Sequence, residues 1–419
     1  MNRLLKVIGP GILFASTAIG VSHLVQSTRA GAVYGFGLLW AVVLANLMKY
    51  PFFEFGSRYA NVSGTSIIDG YRKMGHWMFY AYVVVTIGSM FLVTAAVTAV
   101  TVGFLSQLFM LETFFEGANV MHIATIVLVV IISSVLMRGG YKTLDKLIKI
   151  IGSVLLITTL IAFVAVLIKG ASASEIPFVS PDIINDENAF LFVIALMGWM
   201  PTAVDLSTWN SLWTLERIKE TGYQPKLKET LLDFNTGYLI SALLSICFIT
   251  LGAFLIYGTP EEMPAKSGAF AGRVISLYTE VMGGWSKWLI SAAGFSIMFG
   301  TCIAVFDGYA RSAEKVGEII LADSNKELNP AKAYRWCVFI TAIITIGIVI
   351  FAGGNLKSLV DLATTISFLI APVIAGANLY LVTKELGKEG QPPTWLKVLA
   401  YFGVAFLTVF TFIYLLALS

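Results

Sequence analysis

The chain has 419 residues, 57% of them hydrophobic and 13% charged, with a net charge of +3 and a mean hydropathy of +0.82. A soluble domain is about one-quarter charged, so this balance excludes a soluble globular protein, and the lack of any long block of like charge excludes a nucleic-acid partner. Cys247, Cys302 and Cys337 lie singly in apolar stretches and read as small hydrophobic side chains, not as a disulfide frame or a zinc site.

A bilayer core takes about 20 apolar residues per helix, and such runs follow one another along the chain. The first, near 7–26, follows Arg3 and Lys6 but lacks the small-residue cleavage pattern of a signal peptide, so it is read as a span. The second, near 36–57, carries Lys49, Glu54 and Arg58, which are expected to approach the cytoplasmic interface or pair with each other and are not assigned to a site. Runs near 77–108, 119–137, 144–168 and 189–214 come next, then 232–257 and 285–310. Asp307 and Arg311 in the eighth run are spaced for an intrahelical ion pair, with a gating or a structural role. Runs near 335–353, 358–383 and 396–417 complete eleven, with Asp361 near the outer end of the tenth. The expectation is one transmembrane domain over 1–419 with no separate soluble unit.

Lys and Arg accumulate on the cytoplasmic side of membrane proteins. With the N-terminus inside, 21 of the 28 fall in cytoplasmic segments and six on the opposite side, with Lys49 inside the second span. The N-terminus is therefore expected in the cytoplasm and the C-terminus outside.

Spans one and six share one trait. The first reads Gly9-Pro10-Gly11, then Ser16-Thr17-Ala18-Ile19-Gly20-Val21-Ser22-His23; the sixth reads Met197-Gly198-Trp199-Met200-Pro201-Thr202-Ala203-Val204-Asp205. Each is broken by helix-disfavouring residues near mid-span, and an offset of five spans reverses topology, as in inverted repeats. Unwound backbone is tolerated at membrane depth only where it lines a cavity, and half-helix C-termini attract cations. The substrate or ion site is therefore expected at the two breaks, with Gly20, His23, Met197, Met200, Thr202 and Asp205 as candidates. An ionisable side chain at that depth is costly and marks function by default, which singles out His23 and Asp205. His23 suits proton coupling or a borderline metal, Asp205 a cation, and the Met200 thioether a transition metal. Ser22, Thr17 and Ser207 add hydroxyls nearby. No phosphate-cradling loop, catalytic carboxylate pair or nucleophile elbow is present, so neither an enzyme nor an ATP-driven pump is expected.

Gly9-Pro10-Gly11 followed by Gly31-Ala32-Val33-Tyr34-Gly35-Phe36-Gly37-Leu38-Leu39-Trp40 resembles the opening of the Nramp metal-ion transporters, and Met200-Pro201 resembles the start of that family's Met-Pro-His on helix six. The resemblance implies an all-α membrane protein of the LeuT type. It would have two inverted five-helix repeats, about 7–168 and 189–383, an extra helix at 396–417, and helices one and six broken at mid-membrane. It also implies a divalent metal ion as substrate and Met200 as a ligand. The chemistry departs from the family: its Asp-Pro-Gly-Asn, whose Asp and Asn ligate the metal, is Gly20-Val21-Ser22-His23 here, its His after Met-Pro is Thr202, and 77–108 holds no Asp or Glu for proton passage.

Two readings follow. In the first, His23, Met200 and Asp205 rebuild a divalent-cation site, with His23 and Asp205 replacing the family's proton route. In the second, the fold carries a small organic solute such as an amino acid or organic cation, with Trp199, Trp209 and Asp205 lining a pocket. A third reading is a non-transporting membrane sensor or scaffold. In each the partners are the bilayer and a small ion or molecule, no cofactor is called for, and the location is the inner cell membrane.

Overall fold

The computed structural model describes residues 6–115, 120–171, 179, 187–259, 263–323, 329–351 and 355–418. Arg3 and Lys326, both used for the orientation, lie outside them.

The described residues are almost entirely helical. The first span is α1 (Pro10–Ala18), a π-helical turn over Ser22–Ser27, and α2 (Thr28–Tyr34). Helices α3 (Leu39–Ser63), α4 (Ile67–Met74), α5 (His76–Phe109), α6 (Leu111–Phe114) and α7 (Val120–Lys169) follow. The sixth span is α8 (Glu187–Gly198), a non-helical link, a 3₁₀ turn at Val204–Leu206, and α9 (Ser207–Thr221). The chain continues through α10 (Leu227–Leu255), α11 (Ser267–Met282), α12 (Lys287–Asp323), α13 (Pro330–Phe351), α14 (Leu356–Lys384) and α15 (Thr394–Leu418).

Among the described residues, seven helical stretches are long and apolar enough to cross a bilayer. The other expected spans escape that criterion for physical reasons. Spans one and six are cut into short halves, α3 carries Lys49, Glu54 and Arg58, and the fifth span appears as the shorter apolar stretch Leu156–Lys169. The fourth and fifth expected spans fall within the single helical run α7. A straight helix of 50 residues would be about 75 Å long. Yet Leu128, Val129 and Ile132 sit in the same apolar core as Ala162 and Val166. Lys169 also reaches Glu280 O on α11, the helix whose Gly268 O accepts from Gln107 at the end of α5. Both ends of the run therefore pack into the one core, and they match the two expected spans.

Helix starts follow local chemistry. Pro10 occupies the first turn of α1, where its missing N–H costs nothing. The adjacent amides of Gly9 and Gly11 donate to the Asp233 carboxylate of α10 at 3.1 and 2.7 Å. Ser66 and Asp69 close a capping box on α4. Close approach of α10 to both halves of span one depends on glycine: a Cβ on Gly11 would lie 2.0 Å from Asp233 O, and one on Gly31 2.0 Å from Ile249 O.

Buried polar groups fix the remaining elements around the breaks. Asn378 of α14 donates to Phe52 O of α3 and Ser207 Oγ of α9, and accepts from Tyr71 of α4. Thr94 bonds Thr345, and Thr101 bonds Met298 O, joining α5 to α13 and α12. Outward faces are apolar, as on α15 with Tyr401, Phe402, Phe412 and Leu416 exposed. Exposed Trp77, Trp336 and Trp395 stand at the starts of α5, α13 and α15, and Trp285 and Trp288 at the start of α12, the placement of interfacial anchors.

Candidate functional site

The two interruptions face each other. Span one loses its helix at Ile19 and Gly20 and resumes through the π turn, while span six loses it from Trp199 to Ala203. Ser22 Oγ, on span one, lies 3.0 Å from Pro201 O on span six. The same hydroxyl contacts Ala18 O and lies 2.8 Å from His23 Nδ1. A hydroxyl has one proton, so these three acceptors cannot all be satisfied by Ser22. The junction of the breaks is thus rich in oxygen lone pairs.

A narrow cavity opens there, with about 20 Å³ available to water centres, room for one water or ion. Thr17, Ser22, Thr202 and Thr301 give it hydroxyls, and Val93, Val97, Trp199, Leu206 and Val305 give it apolar walls. Thr301 of α12 donates to Ser16 O at 2.8 Å, fixing the end of α1. Its side chain also fills the space beside Gly20, where a Cβ would come within 2.6 Å.

His23 is fully buried but turned away from span six. Its Nε2 lies 2.9 Å from Ser241 O on α10, so that nitrogen carries a proton, and its Nδ1 is engaged by Ser22. Neither nitrogen is open to a metal in this conformation. His23 and Asp205 make no hydrogen bond or ion pair to each other, so the expected coupled pair is not formed. Met197 and Met200 are fully buried and pack in an apolar cluster with Phe52, Val204 and Phe368. Asp205, 6% exposed, sits in the 3₁₀ turn within electrostatic reach of Lys49, Tyr71, Tyr82 and Tyr309. Of the tryptophans expected to line a pocket, Trp199 does, with its indole N–H on Ser367, whereas Trp209 is buried against Trp213 and Tyr309. Among the described residues no group of three His, Cys, Asp or Glu side chains is placed to hold a metal ion. A cation here would be held by backbone and hydroxyl oxygens.

Lys49 corrects the sequence reading. Glu54 and Arg58 do pair, with Nε to Oε2 at 2.9 Å, but Lys49 joins neither them nor the interface. It is 0% exposed, and its ammonium donates to Met197 O, Gly198 O and Thr202 O at 2.5, 2.8 and 3.2 Å. One signal could have found it. Arg58 stands four residues from Glu54, which leaves Lys49 the one charge in that span with no neighbour to neutralise it.

Asp307 and Arg311 lie on the Lys- and Arg-rich side of the breaks. Asp307 accepts from Arg311 Nε at 2.8 Å, Trp213 Nε1 at 3.0 Å and the Tyr334 hydroxyl at 2.7 Å, joining α12 to α9 and α13. Arg311 also approaches Glu216 at 3.4 Å. On the opposite side Arg29 pairs with Asp361 at 2.8 Å.

This architecture has relatives. The family profile described as natural resistance-associated macrophage protein-like, Nramp, matches residues 11–417. The chain belongs to the Nramp family. An uncharacterized protein of Pasteurella multocida is 32% identical over 415 residues, covering 97% of this chain and 91% of that protein. The divalent metal cation transporter MntH of Levilactobacillus brevis is 21% identical over 430 residues, covering 99% and 89%. A mutant of the Eremococcus coleocola manganese transporter superposes with a TM-score of 0.69 at 16% identity, covering 98% and 86%. MhsT in complex with L-phenylalanine superposes at 0.65 and 14%, covering 99% and 98%. This Nramp-family protein is therefore a multi-pass membrane transporter of the LeuT-type fold, as its sequence motifs implied.

Proposed function

We propose that this Nramp-family protein carries a divalent metal cation by alternating access, binding it between the breaks of spans one and six. The observation that carries the reading is the meeting of Ser22 Oγ, Ala18 O and Pro201 O beside a cavity with room for a single ion. Oxygen ligands of this kind suit hard divalent cations. The MntH similarity supports the same cargo. The positive-inside distribution supports a cytoplasmic location for the Asp307 side, and with no ATP site in the sequence the energy comes from an ion gradient, the membrane potential or the substrate's own gradient.

One observation favours a small organic solute instead: among the described residues the cavity has no acidic lining residue, and most of its wall is apolar. Proteoliposomes containing the full chain separate the two. Mn²⁺ or Mg²⁺ flux that falls at least tenfold in Ser22→Ala supports the metal reading. Uptake of an amino acid or organic cation with no metal flux replaces it, and flux of neither leaves only a non-transporting role. Comparing the pH dependence of flux in wild type and His23→Ala, Asp205→Ala decides whether those two residues take part in proton coupling.

A further inference from the structure

Next to the Ser22–Pro201 junction, Lys49 fills a second set of oxygens at the break of span six. Helix α8 ends at Gly198, so its last carbonyls have no intrahelical partner and present the negative end of the helix dipole. Met197 O, which also accepts from the Met200 N–H at 3.3 Å, and Gly198 O belong to that end, and Thr202 O comes back from the non-helical link. Together they form a three-oxygen cradle at the break. The Lys49 ammonium has three donors for three acceptors, at 2.5, 2.8 and 3.2 Å, so the match is complete.

The surrounding charges agree with this assignment. Asp205 is within electrostatic reach of Lys49, although no ion pair within 4 Å joins it to a cation among the described residues. Glu54 is taken by Arg58, and His23 by Ser22 and Ser241. Burying a charge without compensation is prohibitive, and here the compensation is a set of backbone dipoles on a broken helix, with Lys49 itself anchored on α3.

We propose that Lys49 is a tethered resident cation and the specificity-determining residue of this transporter: its ammonium fills the carbonyl cradle and admits a free cation only when it withdraws. Two positive charges cannot share three oxygens in a water-poor site, because Coulomb repulsion at contact distance far exceeds what the remaining contacts return. Withdrawal of the ammonium also releases α8 from the link at Thr202, so cation entry and rearrangement of the break become one event. The identity of the cargo rests on the metal-transport reading, but the cradle's preference for cations does not.

The test uses the purified full chain and Lys49→Ala, which leaves the cradle empty. Its melting temperature is expected to rise saturably with methylammonium and not with choline, which is too large, while the wild type responds to neither. Identical responses of the two proteins overturn the proposal. Lys49→Met, of similar volume and uncharged, covers the case in which Lys49→Ala does not fold. Calorimetry should then show Mn²⁺ binding at least tenfold tighter than in wild type, with no such gain in the charge-retaining Lys49→Arg. Equal Mn²⁺ affinity in wild type and Lys49→Met overturns the proposal. Absence of metal flux in the wild type, with the methylammonium response intact, would instead remove only the metal-transport reading.

Discussion

Replacing Asp307 with Asn tests whether the α9–α12–α13 junction closes the Lys- and Arg-rich side of the breaks. Asp307 is 1% exposed and receives three hydrogen bonds, one from the Arg311 guanidinium at 2.8 Å. Asn keeps the shape and one acceptor oxygen but loses the charge facing Arg311. A hydrogen bond to a charged group is worth about 1.5–3 kcal/mol, and Arg311 retains its contact with Glu216, so about 2 kcal/mol should be lost from the closed arrangement. If that loss falls on the closed state alone, the minor open population rises about 30-fold, since 1.4 kcal/mol is a factor of ten. The readout is a single cysteine at position 305, whose side chain lines the cavity, in a chain also carrying Cys247→Ala, Cys302→Ala and Cys337→Ala. Its labelling rate by a cationic methanethiosulfonate added from the side of the Asp307 junction should rise in proportion. A rate within twofold of the parent in both Asp307→Asn and Asp307→Ala would refute the reasoning and leave the junction a purely structural contact.

Two further perturbations probe the parts that hold the breaks. Asp233→Ala removes the carboxylate that receives the Gly9 and Gly11 amides, a loss of about 3 kcal/mol from two charge-assisted bonds. Amide hydrogen exchange across Pro10–Ala18 should accelerate about 100-fold by the same conversion, with α15 unchanged as the internal control. Gly198→Ala places a Cβ 2.0 Å from Thr364 O, so α8 must move off α14 at an overpacking cost of about 1–3 kcal/mol. Because Gly198 O is a cradle oxygen, this variant should lose flux more than a similarly destabilised variant remote from the break, and equal losses would show that cradle geometry does not matter.

Most of the fold was legible because membrane spans announce themselves by composition. Runs such as those in α5, α10 and α12 are apolar over more than the bilayer's thickness, and no alternative packing in lipid satisfies their backbone. The breaks were legible for a related reason, since Gly20 and the Trp199–Ala203 stretch interrupt helices where interruption is costly. The fourth and fifth spans were separated in the sequence reading, at 119–137 and 144–168, whereas the structure draws both within one helical run. Between those two runs the helix-disfavouring signal is Gly139 and Gly140.

The site's composition was less legible than its position, because side-chain direction is a tertiary property. His23 stands one residue past Ser22, yet the π turn aims its imidazole at Ser241 O on α10 while Ser22 faces Pro201 O. Lys49 is remote in sequence from both breaks and reaches the carbonyls of α8 only because α3 packs beside it. The two departures from the family pattern then become connected. The family's aspartate position is Gly20, and Thr301 occupies the space a side chain would need there, so an acid cannot be restored at that position without displacing α12's contact with Ser16. With an anion removed from span one and a cation installed at the end of α8, Asp205 is left as the carboxylate on the opposite broken helix within electrostatic reach of that cation. A cargo cation entering between the breaks must therefore contend with Lys49 for the cradle oxygens and for Asp205 together, which makes the lysine, more than the missing aspartate, the feature that decides what this transporter accepts.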